Sequence, residues 1–290
     1  MYKQIAANKR NTILIMVIFI AIITAISACL AYYLKDWWII LYVFIATTIY
    51  TLIQYFASAS LATIMTGARE IEKKDNPRLW KTVENLSLTA GLPMPRVFII
   101  DDPAPNAFAT GRDPAHAVVA ATTGLLDIMD DKELTAVMGH ELSHVKNYDI
   151  RVSMITFGLV CLVGYISDIG IRMMFFHDDD DERSPVGLIL IIFTSILAPL
   201  AASLAQMAVS REREYLADAS SVSITRYPEG MISALKKLDT HTRPMKHQNA
   251  ATEALYINNP MRKGFWSNLF STHPPIEKRI ERLEYGKKTF

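Results

Sequence analysis

The stretch richest in chemistry is His140-Glu141-Leu142-Ser143-His144, two histidines four residues apart with a glutamate between them. On a helix, His140 and His144 lie one turn apart on one face, so both imidazoles reach a single ion. Glu141 stands close enough to act as base on the water such an ion activates, without being a ligand. Leu134, Val137, Met138 and Leu142 recur at helical spacing, and Asp130, three residues before Glu133, gives an N-cap signal. The apolar flanks predict a helix at least half buried. Two histidines and a carboxylate in such a place need partners, because unpaired buried polar groups are costly. A bound metal ion meets that need.

A zinc ion on two imidazoles requires a third protein ligand and an open position. Glu214, in Ser210-Arg211-Glu212-Arg213-Glu214-Tyr215-Leu216-Ala217-Asp218, is the best candidate. It follows an apolar run and lies 70 residues after His144, the length of a transmembrane hairpin with its ends. Asp218, one turn further, can orient a ligating imidazole through its other nitrogen. Taken alone, the segment reads equally as a charged helix at a membrane surface; the histidine motif decides for the ligand. His116, His177, His241 and His247 have no carboxylate or histidine at ligand spacing in a helical context and are read as non-ligands.

The elements that must position these residues belong to a chain of 290 residues, 51% of them apolar, with a mean hydropathy of +0.18. That is high for a soluble enzyme and typical of a membrane protein with a polar domain. A net charge of +1 argues against nucleic acid as a partner, and no phosphate-binding glycine loop points to ATP. Cys29 and Cys161 lie inside apolar stretches and read as small core residues.

Residues 12–34 carry no charge, and after Lys35-Asp36 a second uncharged run, residues 37–57, begins with Trp37 and Trp38 at an interfacial position. The pair is too long for a signal peptide and predicts an N-terminal transmembrane hairpin within residues 1–68. Residues 69–151 have the composition of a soluble domain, with a helix from Asn76-Pro77 to Gly91 and strands over 96–100 and 117–121. A second hairpin is expected over 152–209, with spans at 152–176 and 186–209 around the acidic loop 177–182. Asp168 and Arg172 in its first arm are spaced to pair. Residues 210–290 complete the polar part. The predicted fold class is a mainly α membrane protein with four transmembrane helices and an α+β polar domain in two parts that carries the candidate zinc site.

Lys3, Lys9 and Arg10 precede the first run, Arg69, Lys73, Lys74 and Arg78 follow the second, and Arg211 and Arg213 follow the fourth. The positive-inside rule then places both termini and the histidine helix in the cytoplasm, whether 152–209 crosses the bilayer or only dips into it.

Together, H-E-L-S-H, the four apolar runs, S-R-E-R-E-Y-L-A-D and the late T-H-P-P at 272–275 resemble the HtpX-type membrane zinc metallopeptidases, in order and over essentially the whole chain. The resemblance implies a gluzincin-like endopeptidase domain on the cytoplasmic face of the bacterial plasma membrane, acting on misfolded or damaged membrane proteins. It implies one zinc per chain on His140, His144 and Glu214, with Glu141 as base. It further implies that Asn106-Ala107-Phe108 holds substrate backbone at a sheet edge. His273, with Arg279 in support, would stabilise negative charge on the scissile carbonyl; the alternative is that His273 caps the helix Pro274 starts. Two rivals stand beside this reading. A prenyl-protein endopeptidase shares the motifs but normally carries more spans. A metal-binding membrane protein without protease activity would need polar residues through the bilayer, and the first, second and fourth runs contain no His, Asp or Glu.

Overall fold

The computed structural model describes residues 2–175, 192, 195, 211–241, 243–246, 256–257 and 274–287. The expected fourth span is outside them except for two positions, and so are the acidic loop and His273.

Helices α1 (Tyr2–Leu34) and α2 (Trp38–Met65) turn back on each other at Lys35, whose φ is 56°. Ile15, Phe19 and Ile23 pack against Val152, Met154, Ile155 and Leu159. The outward residues are also apolar: Ile13, Leu14, Val17, Phe44, Ile45, Ile49 and Ile53 are exposed. Water does not tolerate so broad an apolar surface, whereas a bilayer requires it. Among the described residues, two helical stretches are long and apolar enough to cross a membrane, Ile5–Ala25 and Trp38–Ala57. α1 starts ten residues before the uncharged run, because its first turns continue into the polar domain.

The third helix of this bundle runs Asp149–Phe175 and carries the expected Arg172–Asp168 pair, Nε to Oδ2 2.7 Å. Polar contacts fix its register on α2. The Tyr50 hydroxyl donates to the Gly158 carbonyl (2.7 Å) and Gln54 Nε2 donates to the Tyr50 oxygen (2.9 Å). A Cβ at Gly158 would stand 2.6 Å from Gln54 Oε1, so a larger residue there would force the Gln54 side chain to move.

The polar domain is built on a four-stranded sheet, with β1 (Arg69–Glu70), β2 (Arg96–Ile100), β3 (Ala107–Gly111) and β4 (Ala117–Thr122) in the order β1-β2-β4-β3. β2 and β4 run parallel, and β3 lies antiparallel to β4 with Phe108 opposite Ala120. β3 therefore forms one edge. The helix α3 (Pro77–Ala90) has the caps its sequence announces: Asn76 accepts from the Leu79 N–H, and Gly91 ends it at φ 68°. A short α4 (Thr123–Ile128) leads to α5 (Asp131–Lys146), the histidine helix. The third membrane-side helix above is α6.

The start of α5 is over-determined. Asp130 and Glu133 form a reciprocal capping box, and Glu133 also receives Ser233 Oγ and Lys237 Nζ, both at 2.6 Å, from α8 (Pro228–Thr240). Leu134, Val137, Met138 and Leu142 enter the main core with Leu79, Val83, Val119, Met231 and Leu235. α7 (Arg211–Thr225) crosses α5 closely at Gly139, where a Cβ would lie 2.9 Å from Ser221 Oγ. Ser221 donates to the Ala136 carbonyl at 2.6 Å. That close crossing brings Glu214 to the histidines. The last helix, α9 (Ile276–Lys287), lies against α7 and α8.

Candidate metal centre and active site

His140 and His144 project from adjacent turns of α5, and Glu214 meets them from α7. Their Nε2 atoms are 3.1 Å apart; His140 Nε2 lies 3.5 Å from Glu214 Oε2 and His144 Nε2 3.4 Å from Glu214 Oε1. Three donors bonded at 2.0–2.1 Å to one tetrahedral zinc would stand about 3.3–3.4 Å from each other. The two nitrogens stand about that far apart, each has a different oxygen of Glu214 at about that distance, and two imidazoles with one carboxylate are the donor chemistry zinc takes in catalytic sites. Among the described residues this is the group of three that could hold a metal.

Each imidazole is held through its second nitrogen. His140 Nδ1 is 2.9 Å from Asp218 Oδ1, as the helical spacing from Glu214 predicts. His144 Nδ1 is 3.1 Å from Asp149 Oδ2. A carboxylate accepts from the Nδ1–H, fixes the tautomer and leaves the Nε2 lone pair for the metal. The sequence reading missed Asp149. Its signal is slight, an acid five residues after His144, and only the sharp corner between α5 and α6 folds it back.

Burial alone drives His140 toward its neutral form, but Asp218 and Glu214 outweigh that and hold its pKa at about 9. His144 is opposed by burial in the same way and is raised by Asp149 and by the charge of Glu214. The pocket thus attracts positive charge strongly, and a metal ion would take the place of those protons.

Arg279 is fully buried and forks onto Asp218, Nε to Oδ2 2.9 Å and Nη2 to Oδ1 2.7 Å, with Nη1 3.6 Å from Glu214 Oε2. Burial by itself would lift the Asp218 carboxyl; this guanidinium overrides it and holds it below the ordinary range. The described contacts put Arg279 behind the ligands, next to the Nδ1 side of His140. His273, which it was expected to support, lies outside the described residues. Removing one member of such a buried ion pair strands the other and typically destabilises by about 3–5 kcal/mol.

Glu141 is buried beside His140. Glu212 faces the other way, with an exposed side chain paired to Arg282 at 3.6 Å. His116 is half-exposed against Asp113 (2.7 Å), and His241 caps the end of α8, so neither belongs to the site. Asn106 is buried, and both its N–H and its C=O are bonded to Thr122. The Ala107 carbonyl, on the outer side of β3, accepts from the Ile257 N–H at 3.0 Å, and Tyr256 bridges Phe108 antiparallel. β3 is thus an edge strand, and a piece of the chain's own backbone lies on it at Ala107.

Known proteins are consistent with this geometry. Residues 73–287 match Peptidase family M48. A Protease HtpX homolog of Tropheryma whipplei (strain Twist) is 54% identical over 285 residues, covering 98% of each chain. A Protease HtpX homolog of Lactobacillus helveticus is 48% identical over 296 residues, 98% of this chain and 99% of that one. The crystal structure of S. mikatae Ste24p superimposes with a TM-score of 0.52 at 20% identity, and covers 91% of this chain and 62% of its own. At that identity the likeness is one of fold. The two histidines of α5, the glutamate of α7 and the apolar helix pair thus sit in a full-length match, and the chain belongs to peptidase family M48 as a membrane-bound metalloprotease.

Proposed function

We propose that the chain is a zinc endopeptidase of the bacterial plasma membrane that cleaves misfolded or damaged membrane proteins at the cytoplasmic face. The two Nε2 atoms 3.1 Å apart, each with an oxygen of the Glu214 carboxylate at 3.4–3.5 Å, carry the metal reading. When bound, zinc polarises the scissile carbonyl and lowers the pKa of water to about 7. His140, His144 and Glu214 hold the ion, and Asp218 and Asp149 keep the two rings turned toward it. Glu141 takes the proton from the attacking water and passes it to the leaving amine. His273 remains the candidate donor to the carbonyl oxygen. Extended substrate pairs with the outer edge of β3, a mode that reads backbone and tolerates many sequences. Pairing there begins at Ala109 or displaces the Ile257–Ala107 hydrogen bond.

Purified in detergent, the chain is expected to carry one zinc and to cleave an unfolded, casein-type protein. Stripping with a chelator should lower the rate at least about 100-fold, and one equivalent of zinc should restore it. Undiminished cleavage by the stripped protein would end the zinc reading.

Sidedness rests on the basic residues and on the way the membrane helices meet the domain. The start of α1, the end of α2 and the start of α6 all adjoin the catalytic part, so the Lys35–Asp36 turn is at the far end. In a background with Cys29 and Cys161 changed to Ser, cysteine at Asp36 should react with a membrane-impermeant maleimide in intact cells, and cysteine at Glu72 only after lysis. The reverse pattern would put the protease outside.

A further inference from the structure

The first membrane helix reaches the metal centre. Asn8, two turns into α1 and only 3% exposed, places its side-chain nitrogen 2.7 Å from Asp149 Oδ1 and 2.9 Å from the Asn147 carbonyl. Both partners only accept, so the amide must present its NH2 group to them. The other oxygen of Asp149 holds His144 Nδ1 at 3.1 Å. A chain of contacts thus runs from α1 through Asn8 and Asp149 to a ligand of the metal. It spans the corner between α5 and α6, where Tyr148 adopts φ 61°, a left-handed conformation that non-glycine residues occupy only when their surroundings impose it. Lys9 stands over the Tyr148 ring, 4.4 Å from its centre, so consecutive residues of α1 grip both sides of that corner.

We infer that Asn8 is a positioning residue of the metal centre: it fixes the Asp149 carboxylate in the orientation that aims the His144 imidazole at the ion. A membrane anchor needs no amide at this point. An apolar residue would serve lipid or packing better, since a polar side chain on a membrane helix is favourable only with its partners in place. Asp149 gives one oxygen to His144 and the other to Asn8, and the Arg213 guanidinium also feels its charge; without Asn8 the carboxylate loses the hydrogen bond that sets its rotation. The first helix is therefore part of the active site, and losing the Asn8 amide weakens the metal without any change in the three ligands.

The inference rests on the zinc reading above, and the experiment separates the two. Zinc affinity is measured by chelator competition on the purified full-length chain, together with the visible spectrum of the cobalt-substituted protein. The parent should bind one metal ion; if it binds none, the zinc reading fails. Asn8→Ala should bind about 10-fold more weakly, the lower end of the loss seen when a partner of a ligand is removed. Its cobalt spectrum should shift. Asn8→Gln, which keeps the amide but moves it by one methylene, should weaken binding in the same direction and serves if Asn8→Ala does not accumulate. Ile15→Ala, which thins the packing of α1 on α6 without touching Asp149, should leave affinity unchanged. In an Asp149→Ala background the Asn8→Ala effect should vanish. Parental affinity and spectrum in Asn8→Ala, an equal loss in Ile15→Ala, or full additivity with Asp149→Ala would each overturn the role assigned to Asn8.

Discussion

Changing Glu141 to Gln is expected to reduce peptide hydrolysis by about 1,000-fold or more while the protein keeps one zinc per chain. The magnitude follows from the part a positioned base plays in proton transfer, commonly about 10²–10⁴-fold. Retention of the metal follows from geometry, because the donor triangle is made by His140, His144 and Glu214 and closes without Glu141. Gln preserves the shape of a buried side chain on a helix held by its capping box and core contacts, so the fold should persist. Zinc content and rate measured on the same preparation decide it. A variant that loses its zinc, or one that cleaves at the parental rate, would remove Glu141 from the role of base.

The second large effect separates Glu214 from Glu212. Residues two apart on a helix point about 200° from each other, so both cannot face one ion. Glu214 is buried with its oxygens at the histidines, whereas the Glu212 side chain is 78% exposed beside Arg282. Glu214→Gln should therefore lose most of the zinc and at least about 100-fold of the activity, and Glu212→Gln should lose little of either. Asp218→Asn should fall between them, weakening metal or activity by roughly 10–100-fold, because it touches the ring of His140 and not the ion. The three proteins purified in parallel and assayed for zinc give the answer. Zinc lost from Glu212→Gln and kept in Glu214→Gln would mean that α7 is rotated relative to the histidines.

What could be read along the chain was local. The histidine helix, its Asp130 cap, the Asn76-Pro77 start and Gly91 end of α3, the existence of strands β2 and β4 and the apolar runs all follow from periodicity and capping within a turn or two. So does the distinction between Glu214 and Glu212, since helical geometry fixes their relative direction before any fold is known. The third ligand needed one step more, the argument that an intervening membrane hairpin returns α7 to the face from which α5 departs.

The tertiary structure decided everything that depends on residues far apart in sequence. Asp149 becomes the partner of His144 only because the chain reverses at Tyr148, and Asn8 reaches that carboxylate from 141 positions away. Arg279 carries no local mark of its role, yet the packing of α9 on α7 puts its guanidinium onto Asp218, behind the ligands. The residues of the β3 edge, Ala107–Gly111, carry no pattern that reveals that Ile257 bonds to it. Sequence spacing selects which side chains share a helix face because that is set by the backbone of a single helix. The atoms that hold those side chains in place come from other elements, and which ones arrive is settled by how the helices pack.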